Sequence, residues 1–387
     1  MKKWIKRIFL YLAIILVIAS VIAVATGNSH IFSAVAKTYL VGETGPTIDD
    51  YTKFENRTVK AGNYHPWKLH QDYNKKQLSE PLLQKLKQYQ PAAFLVIKNN
   101  QILFEKYWEN YSDSSYTNSF SMAKSITGIL TGIAIDKGYI ASVNDPVAKY
   151  LPQYSHKPEL TIKHLLTMSS GIDFGESYKD PFGFMAKAYY GSDLKKLTLS
   201  KTEFSDEPGK IFNYQGGNTL LLSFIIEQTS GMTLSEFASK YLWQLCGAKR
   251  DALWTLDKKD GIEKAYCCFY SNARDFARFG RLFMQNGKMY NKQIVSEEYV
   301  KASVTPADYL VDQNGSKVTY YGYQWWIGKY KGFDFYFMRG ILGQYVICIP
   351  SLDIIIVRLG KNRSDKYFNN HPTDVYDNID AALELIN

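Results

Sequence analysis

A serine and a lysine three residues apart, Ser121 and Lys124, open an apolar stretch that continues through Ile126, Ile129, Leu130, Ile133 and Ala134. At the start of a helix this spacing puts both side chains on one face, within reach of each other. A serine hydroxyl is a poor nucleophile until a base takes its proton. A lysine amine serves as that base only where desolvation or nearby charge keeps it neutral. Ser-x-x-Lys also arises by chance in chains of this size, and a capping serine beside an unrelated surface lysine is the ordinary alternative. Here the helix that follows is nearly free of charge. Lys124 therefore falls in a segment that reads as buried, where a lysine needs a partner or a purpose.

Other catalytic machinery has no counterpart in the sequence. There is no Gly-x-Ser-x-Gly elbow, P-loop or His-Glu-x-x-His. The histidines at 30, 65, 70, 156, 164 and 371 form no ligand-spaced set, so neither a metal nor a cofactor is expected. The cysteines, Cys246, the adjacent Cys267 and Cys268, and Cys348, lack zinc-site spacing and read as buried thiols with room for one disulfide. Asp173 and Glu176 are candidates to line a pocket, a solvated loop being the alternative. Trp325 and Trp326 are adjacent on an expected strand and so point to opposite faces, one toward a cleft and the other toward the core.

The elements that must position Ser121 follow from periodicity. With 387 residues, 46% apolar and 15% aromatic, 30 of them tyrosine, the chain can fill a full core as one large domain or two modest ones. The net charge of +9 is scattered in short lysine pairs with no long basic run. It reads as a solvated surface that could face anionic lipid or wall polymer, and no nucleic-acid partner is expected. Residues 1–7 carry four basic side chains, and an uncharged apolar stretch follows over 8–26. That pattern predicts a short cytoplasmic tail and a single membrane-crossing helix with the rest of the chain outside. Ala23-Val-Ala25 resembles a signal-peptidase site, but the apolar core is longer than usual for a cleaved signal, which favours a retained anchor. Cleavage after Ala25 would instead release a secreted domain.

Residues 27–78, broken by Gly, Pro and polar residues, read as an extended arm. Pro81–Tyr89 reads as an amphipathic helix capped by Ser79. Strands are expected over 92–97 and 102–108, turning at Asn99-Asn100, and again over 317–327, 333–338, 344–349 and 353–359. Helices are expected over 122–138, 161–168, 182–190, 217–228, 232–243, 272–285 and 375–386. The implied fold is α+β over residues 79–387: an antiparallel sheet built from both chain ends, with a mostly helical region of about 122–300 inserted.

In this order the motifs resemble the serine β-lactamase and penicillin-recognising superfamily, in its branch of class C-like esterases and 6-aminohexanoate-dimer hydrolases. The resemblance spans about residues 85–387 and implies the β-lactamase/transpeptidase-type α/β sandwich. Ser121-Met-Ala-Lys124 is similar to the family's nucleophile and base. In Pro208–Asn218, Tyr214 matches the family tyrosine and Gly216 stands where β-lactamases carry a substrate-holding asparagine. In Arg339-Gly340-Ile341-Leu-Gly343-Gln344 the resemblance assigns the backbone N–H of Ile341, with that of Ser121, to an oxyanion hole. Gly340 and Gly343 would allow that close approach. His164 would face the core, and Arg274-Asp275 would form a structural corner.

The implied activity is hydrolysis of small esters or amides through an acyl-enzyme on Ser121, with Lys124 and Tyr214 managing protons. Glu176, Asp173, Gly216, Trp325, Gly340 and Gly343 are the substrate-binding candidates. One alternative is a D-Ala-D-Ala-type carboxypeptidase, transpeptidase or weak β-lactamase acting on cell-wall peptide, against which Gly216 counts. The other is an inactive envelope-binding protein on the same fold. A dead scaffold has no physical need for Ser121, Lys124 and Tyr214 together.

Overall fold

A computed structural model describes residues 2–386. Two sheets organise the chain. The larger uses β2 (Lys68–Leu69), β3 (Pro91–Lys98) and β4 (Gln101–Tyr107) from the N-terminal third. From the C-terminal end come β12 (Trp326–Tyr330), β13 (Phe333–Gly340), β14 (Gln344–Ile349) and β15 (Ile354–Gly360). Their spatial order is β12-β13-β14-β15-β3-β4-β2. All neighbours are antiparallel except β2 with β4, so the sheet is mixed at one edge rather than wholly antiparallel. The two chain ends meet where β15 pairs with β3, Ile356 opposite Val96 and Val357 opposite Leu95. The smaller sheet, in the order β1-β7-β8-β5, joins β1 (Asn56–Val59), β5 (Thr117–Asn118), β7 (Ala252–Thr255) and β8 (Phe269–Ser271). Short ladders pair β6 (Ile211–Phe212) with β11 (Val311–Asp312) and β9 (Lys288–Met289) with β10 (Lys292–Gln293).

Strand β3 is buried on both faces, which explains its unbroken apolar run. Its alternate residues enter separate cores. Leu95 and Ile97 join the core that contains Ile126, Ile129 and Phe276. Phe94 and Val96 join Val375 and Ile379 on the other side. The first core is covered by α4 (Met122–Asp136), α5 (Ile162–Leu166), α6 (Phe184–Tyr190), α7 (Leu194–Leu199), α8 (Gly216–Ser230), α9 (Leu234–Tyr241), α10 (Ala273–Met284) and α11 (Glu297–Ser303). The second lies under α3 (Glu80–Lys87) and α12 (Thr373–Ile386). The region between the two groups of main-sheet strands is thus helical but also supplies β5 to β11.

Two stretches differ from the sequence-based expectation. Residues 27–78 are not simply extended: after α1 (Lys2–Ala25) they form α2 (His30–Lys37), which packs on α6, then β1 and β2. The apolar residues of α2 find partners only in the folded domain, so its short period is hidden among the surrounding breakers. The run 317–327 becomes a strand only from Trp326; before it, Gln324 adopts a left-handed φ of 63° and turns inward. Gln324 donates to the Leu165 and Leu166 carbonyls and accepts from Thr219 Oγ1, tying α5 to α8. Among the described residues one helix, Lys3–Ala25, is long and apolar enough to cross a membrane.

The Arg274-Asp275 corner opens α10. Asp275, fully buried, accepts from Asn272 Nδ2, the Lys249 N–H and Arg278 Nε. Arg278, equally buried, donates to the carbonyls of Cys246 and His65. Removing one member strands the other charge in the interior. Arg278→Ala is expected to cost about 3–5 kcal/mol of folding stability, read by urea unfolding; a loss below about 1 kcal/mol would show that the pair is dispensable.

Candidate active site

The turn before Ser121 is fastened to β8. The Ser119 N–H donates to the Phe269 carbonyl at 2.8 Å, and Ser119 Oγ accepts from the Phe269 N–H at 3.1 Å. Asn118 Oδ1 accepts from the Phe120 N–H at 2.8 Å, and Phe120 sits at φ 43°, an uncommon conformation for a bulky side chain. Ser121 then caps α4 and Lys124 completes its first turn. Lys124 is 1% exposed; its Nζ donates to Ser121 Oγ at 3.0 Å and to the Tyr266 carbonyl at 3.1 Å. Lys124 Nζ lies 5.0 Å from the ring centre of Tyr214 and 5.5 Å from that of Tyr266. The aromatic faces thus supply a partial electrostatic environment that water would otherwise provide. Tyr214 lies between β6 and α8, half-buried, its ring against Trp326 at 5.2 Å.

Gly340 ends β13 directly against the turn before Ser121: a Cβ there would come within 2.3 Å of the Ser119 carbonyl oxygen. The next residues, Ile341 to Gly343, form a tight turn with Leu342 at φ 60° and Gly343 at φ 82°. Arg358, buried, holds this turn by donating to the Leu342 and Gly343 carbonyls at 2.7 and 2.6 Å. A Cβ on Gly343 would strike that guanidinium at 1.9 Å. Among the described residues, neither the Ser121 nor the Ile341 N–H makes an intramolecular hydrogen bond.

Of the remaining candidates, Glu176 falls beside the site. One carboxylate oxygen accepts from the Gly216 N–H at the start of α8, and the other is buried with no partner among the described residues. Burial pushes its carboxyl up to about 7, against the lowering influence of Lys124 and the Gly216 and Gly217 amides. Gly216 thus contacts Glu176 through its backbone, and a Cβ there would meet the Tyr266 ring at 3.2 Å. Asp173 is exposed and accepts from the Gly175 N–H within its own turn, the solvated alternative. Trp325 is fully buried against Phe283, 4.2 Å between ring centres, so it belongs to the core. Its neighbour Trp326 takes the site-facing place, against Tyr214 and beneath the Arg339 guanidinium. His164 lies away from Ser121 and its Nδ1 accepts from the Thr161 N–H as a helix cap.

Two tyrosines stand at the site without having been singled out in the sequence. Tyr178, 59% exposed, lines the cleft that opens onto Ser121. Tyr266 lines it too, its hydroxyl buried without a partner among the described residues. Burial, then the Glu176 carboxylate, hold that phenol well above its ordinary range. No spacing distinguishes these from the other tyrosines. Cys267, on the same wall, is joined to Cys268 by a disulfide, while Cys246 and Cys348 are buried and free.

A sheet assembled from both chain ends, with helices on each side and the Ser-Lys turn at its edge, is the architecture of the β-lactamase and transpeptidase class. Residues 81–374 match the Beta-lactamase family model, and the chain belongs to that family. It is 28% identical over 329 residues to the 6-aminohexanoate-dimer hydrolase of Paenarthrobacter ureafaciens, covering 79% of this chain and 82% of that protein. It is 24% identical over 265 residues to a teichoic acid D-alanine hydrolase of Staphylococcus aureus, covering 64% and 60% of the two chains. The fold is similar to a structure from Bacillus anthracis described as a candidate 6-aminohexanoate-dimer hydrolase, with TM-score 0.74, 23% identity, and coverage of 87% and 93%. It is also similar to a family VIII carboxylesterase, with TM-score 0.60, 16% identity, and coverage of 80% and 99%.

Two measurements probe this arrangement. The unfolded Glu176 carboxyl ionises near 4.5 and the folded one near 7, so between these values the folded state holds more protons. Its contribution to stability therefore falls as pH rises through that window. Glu176→Gln is expected to gain stability relative to wild type from about pH 4.5 to pH 7, read by urea unfolding across the window; a constant difference would refute the burial argument. Gly340→Ala, forcing the Ile341 turn off the nucleophile turn, is expected to cost about 1–3 kcal/mol; unchanged thermal unfolding would show that the contact yields freely.

Proposed function

We propose that this protein is a serine hydrolase that cleaves small esters or amides through an acyl-enzyme on Ser121. The observation that carries the reading is the 3.0 Å hydrogen bond between Lys124 Nζ and Ser121 Oγ inside a buried, aromatic-walled turn. In the proposed reaction Lys124 takes the hydroxyl proton as Ser121 Oγ bonds to the carbonyl carbon. The N–H groups of Ser121 and Ile341 receive the negative oxygen. The bond to the leaving alcohol or amine then breaks, with the proton relayed through Tyr214. A water hydrolyses the acyl-serine by the reverse sequence, regenerating Ser121.

Glu176 stands close enough to influence the Lys124 charge, and Gly340 and Gly343 let the turn carrying the Ile341 amide close on the nucleophile. The family and the relatives with hydrolase names support hydrolysis as the type of reaction. The helix α1, with four basic residues in its first two turns and an apolar stretch after them, supports an exported bacterial enzyme held at the membrane with its catalytic domain outside. A second reading, removal of D-alanyl groups from envelope polymers, is favoured by the relative named a teichoic acid D-alanine hydrolase.

A fluorophosphonate probe read by intact mass is expected to add once to the wild-type chain and not to Ser121→Ala. Lys124→Ala and Tyr214→Phe are each expected to slow p-nitrophenyl acetate turnover by about 100- to 10,000-fold. No adduct on Ser121 would sink the enzyme reading. Turnover of D-alanyl esters beside 6-aminohexanoate dimer then separates the two substrate classes.

A further inference from the structure

The cleft at Ser121 does not end there. With Ser121 included it encloses about 570 Å³, within the range of a small-molecule site, and α2 lines part of it. Ile31, Ala34, Val35 and Thr38 of this wall fall at the i, i+3, i+4, i+7 positions of a helical stripe. An apolar stripe of this kind normally faces a core. Here it lines the cleft that also holds Ser121, and Met185 and Ala186 of α6, the helix on which α2 packs, line the same cleft.

The surroundings of α2 indicate what fills that space. Only Thr26 to Ser29 separate it from α1, the helix long enough to span a bilayer. Five residue steps reach at most about 18 Å, so this wall of the cleft lies at the membrane surface when α1 is inserted. Large apolar side chains are exposed on and beside this part of the cleft, which Lys179 and Asp180 also line: Tyr39 is 68% accessible and Phe182 54% in the lining, with Phe32 at 44% and Leu40 at 76% nearby in sequence. Aromatic and aliphatic side chains clustered beside a membrane helix suit the lipid interface. Tyr214, the proposed proton donor to the leaving group, is not part of this limb; it lies with Trp326 and Arg339.

We propose that the limb between α2 and α6 holds the hydrocarbon chain on the acyl side of a membrane-resident amphiphilic ester or amide, whose polar leaving group departs on the Tyr214 side. This rests on the serine-hydrolase reading and names its substrate class. The enzyme takes its substrate from the bilayer that anchors it. The acyl chain passes to Ser121 as the carbonyl is attacked, the headgroup alcohol or amine leaves with the proton, and water releases the fatty acid.

The test uses the full chain and p-nitrophenyl esters of two, four, six, eight and ten carbons. Burial of each methylene favours longer chains, so kcat/KM is expected to rise about 5- to 15-fold per two carbons until the limb is filled. Ala34→Trp and, as a second variant on the opposite wall, Ala186→Trp are expected to lower the ten-carbon to two-carbon ratio at least tenfold. A wild-type ratio of one or less, with the acetate still turned over, would overturn the acyl-chain proposal and leave the hydrolase reading standing. Absence of turnover for every ester together with no fluorophosphonate adduct would instead sink the parent reading.

For the membrane step, full-length protein is reconstituted into phosphatidylethanolamine and phosphatidylglycerol vesicles. A long-chain fluorogenic ester is placed either in the same vesicles or in separate ones. Turnover at least tenfold faster in the shared bilayer is expected. Equal rates would overturn delivery from the membrane.

Discussion

Everything at this site depends on keeping an amine out of water next to a hydroxyl. Lys124 is 1% exposed, and burial of a lysine is tolerated only where its polar head is satisfied. One hydrogen bond goes to Ser121 Oγ and one to the Tyr266 carbonyl, and the rings of Tyr214 and Tyr266 stand close to Nζ. The Tyr266 carbonyl is available because the chain entering β8 runs alongside the nucleophile turn, where Ser119 and Phe269 exchange hydrogen bonds. Three distant parts of the sequence, at 119–124, 214 and 266–269, are thus brought together around one amine. The helices and the small sheet can be understood as the frame that this placement needs.

The Ile341 turn is held differently. Arg358 on β15 grips the Leu342 and Gly343 carbonyls, Gln344 donates to that of Ile341, and Gly340 lets the turn approach the Ser119 backbone. The precision of the turn comes from β13, β14 and β15, which are rigid because both faces of the sheet are covered.

Much of this was legible in the residues. The Ser-x-x-Lys pair stood out because its helix lacks other charge, and period-two runs at both ends of the chain announced a sheet shared between them. Parity along the Trp325-Trp326 pair said that one indole faces the cleft, but parity has no sign. The choice of Trp326 depends on the register with β13, where Trp326 opposes Phe337. Residues 317–325 are rich in strand-forming side chains, yet the buried amide of Gln324 overrides propensity by bridging two helices. Helix α2 is too short to announce itself and is stabilised by packing on α6. Tyr178 and Tyr266 were hidden for a simpler reason: among 30 tyrosines, only three-dimensional placement marks the two that reach the site.

The pairing of β3 with β15 joins residues more than two hundred and fifty positions apart (Val96 opposite Ile356). Contacts of such long range form late, since the intervening chain must first be drawn together. The turn at Ser121 is made early on the ribosome, but β13, whose end packs against it at Gly340, arrives only near the end. A partly made chain therefore holds the serine and the lysine without the Ile341 turn beside them, and their arrangement is a property of the finished molecule.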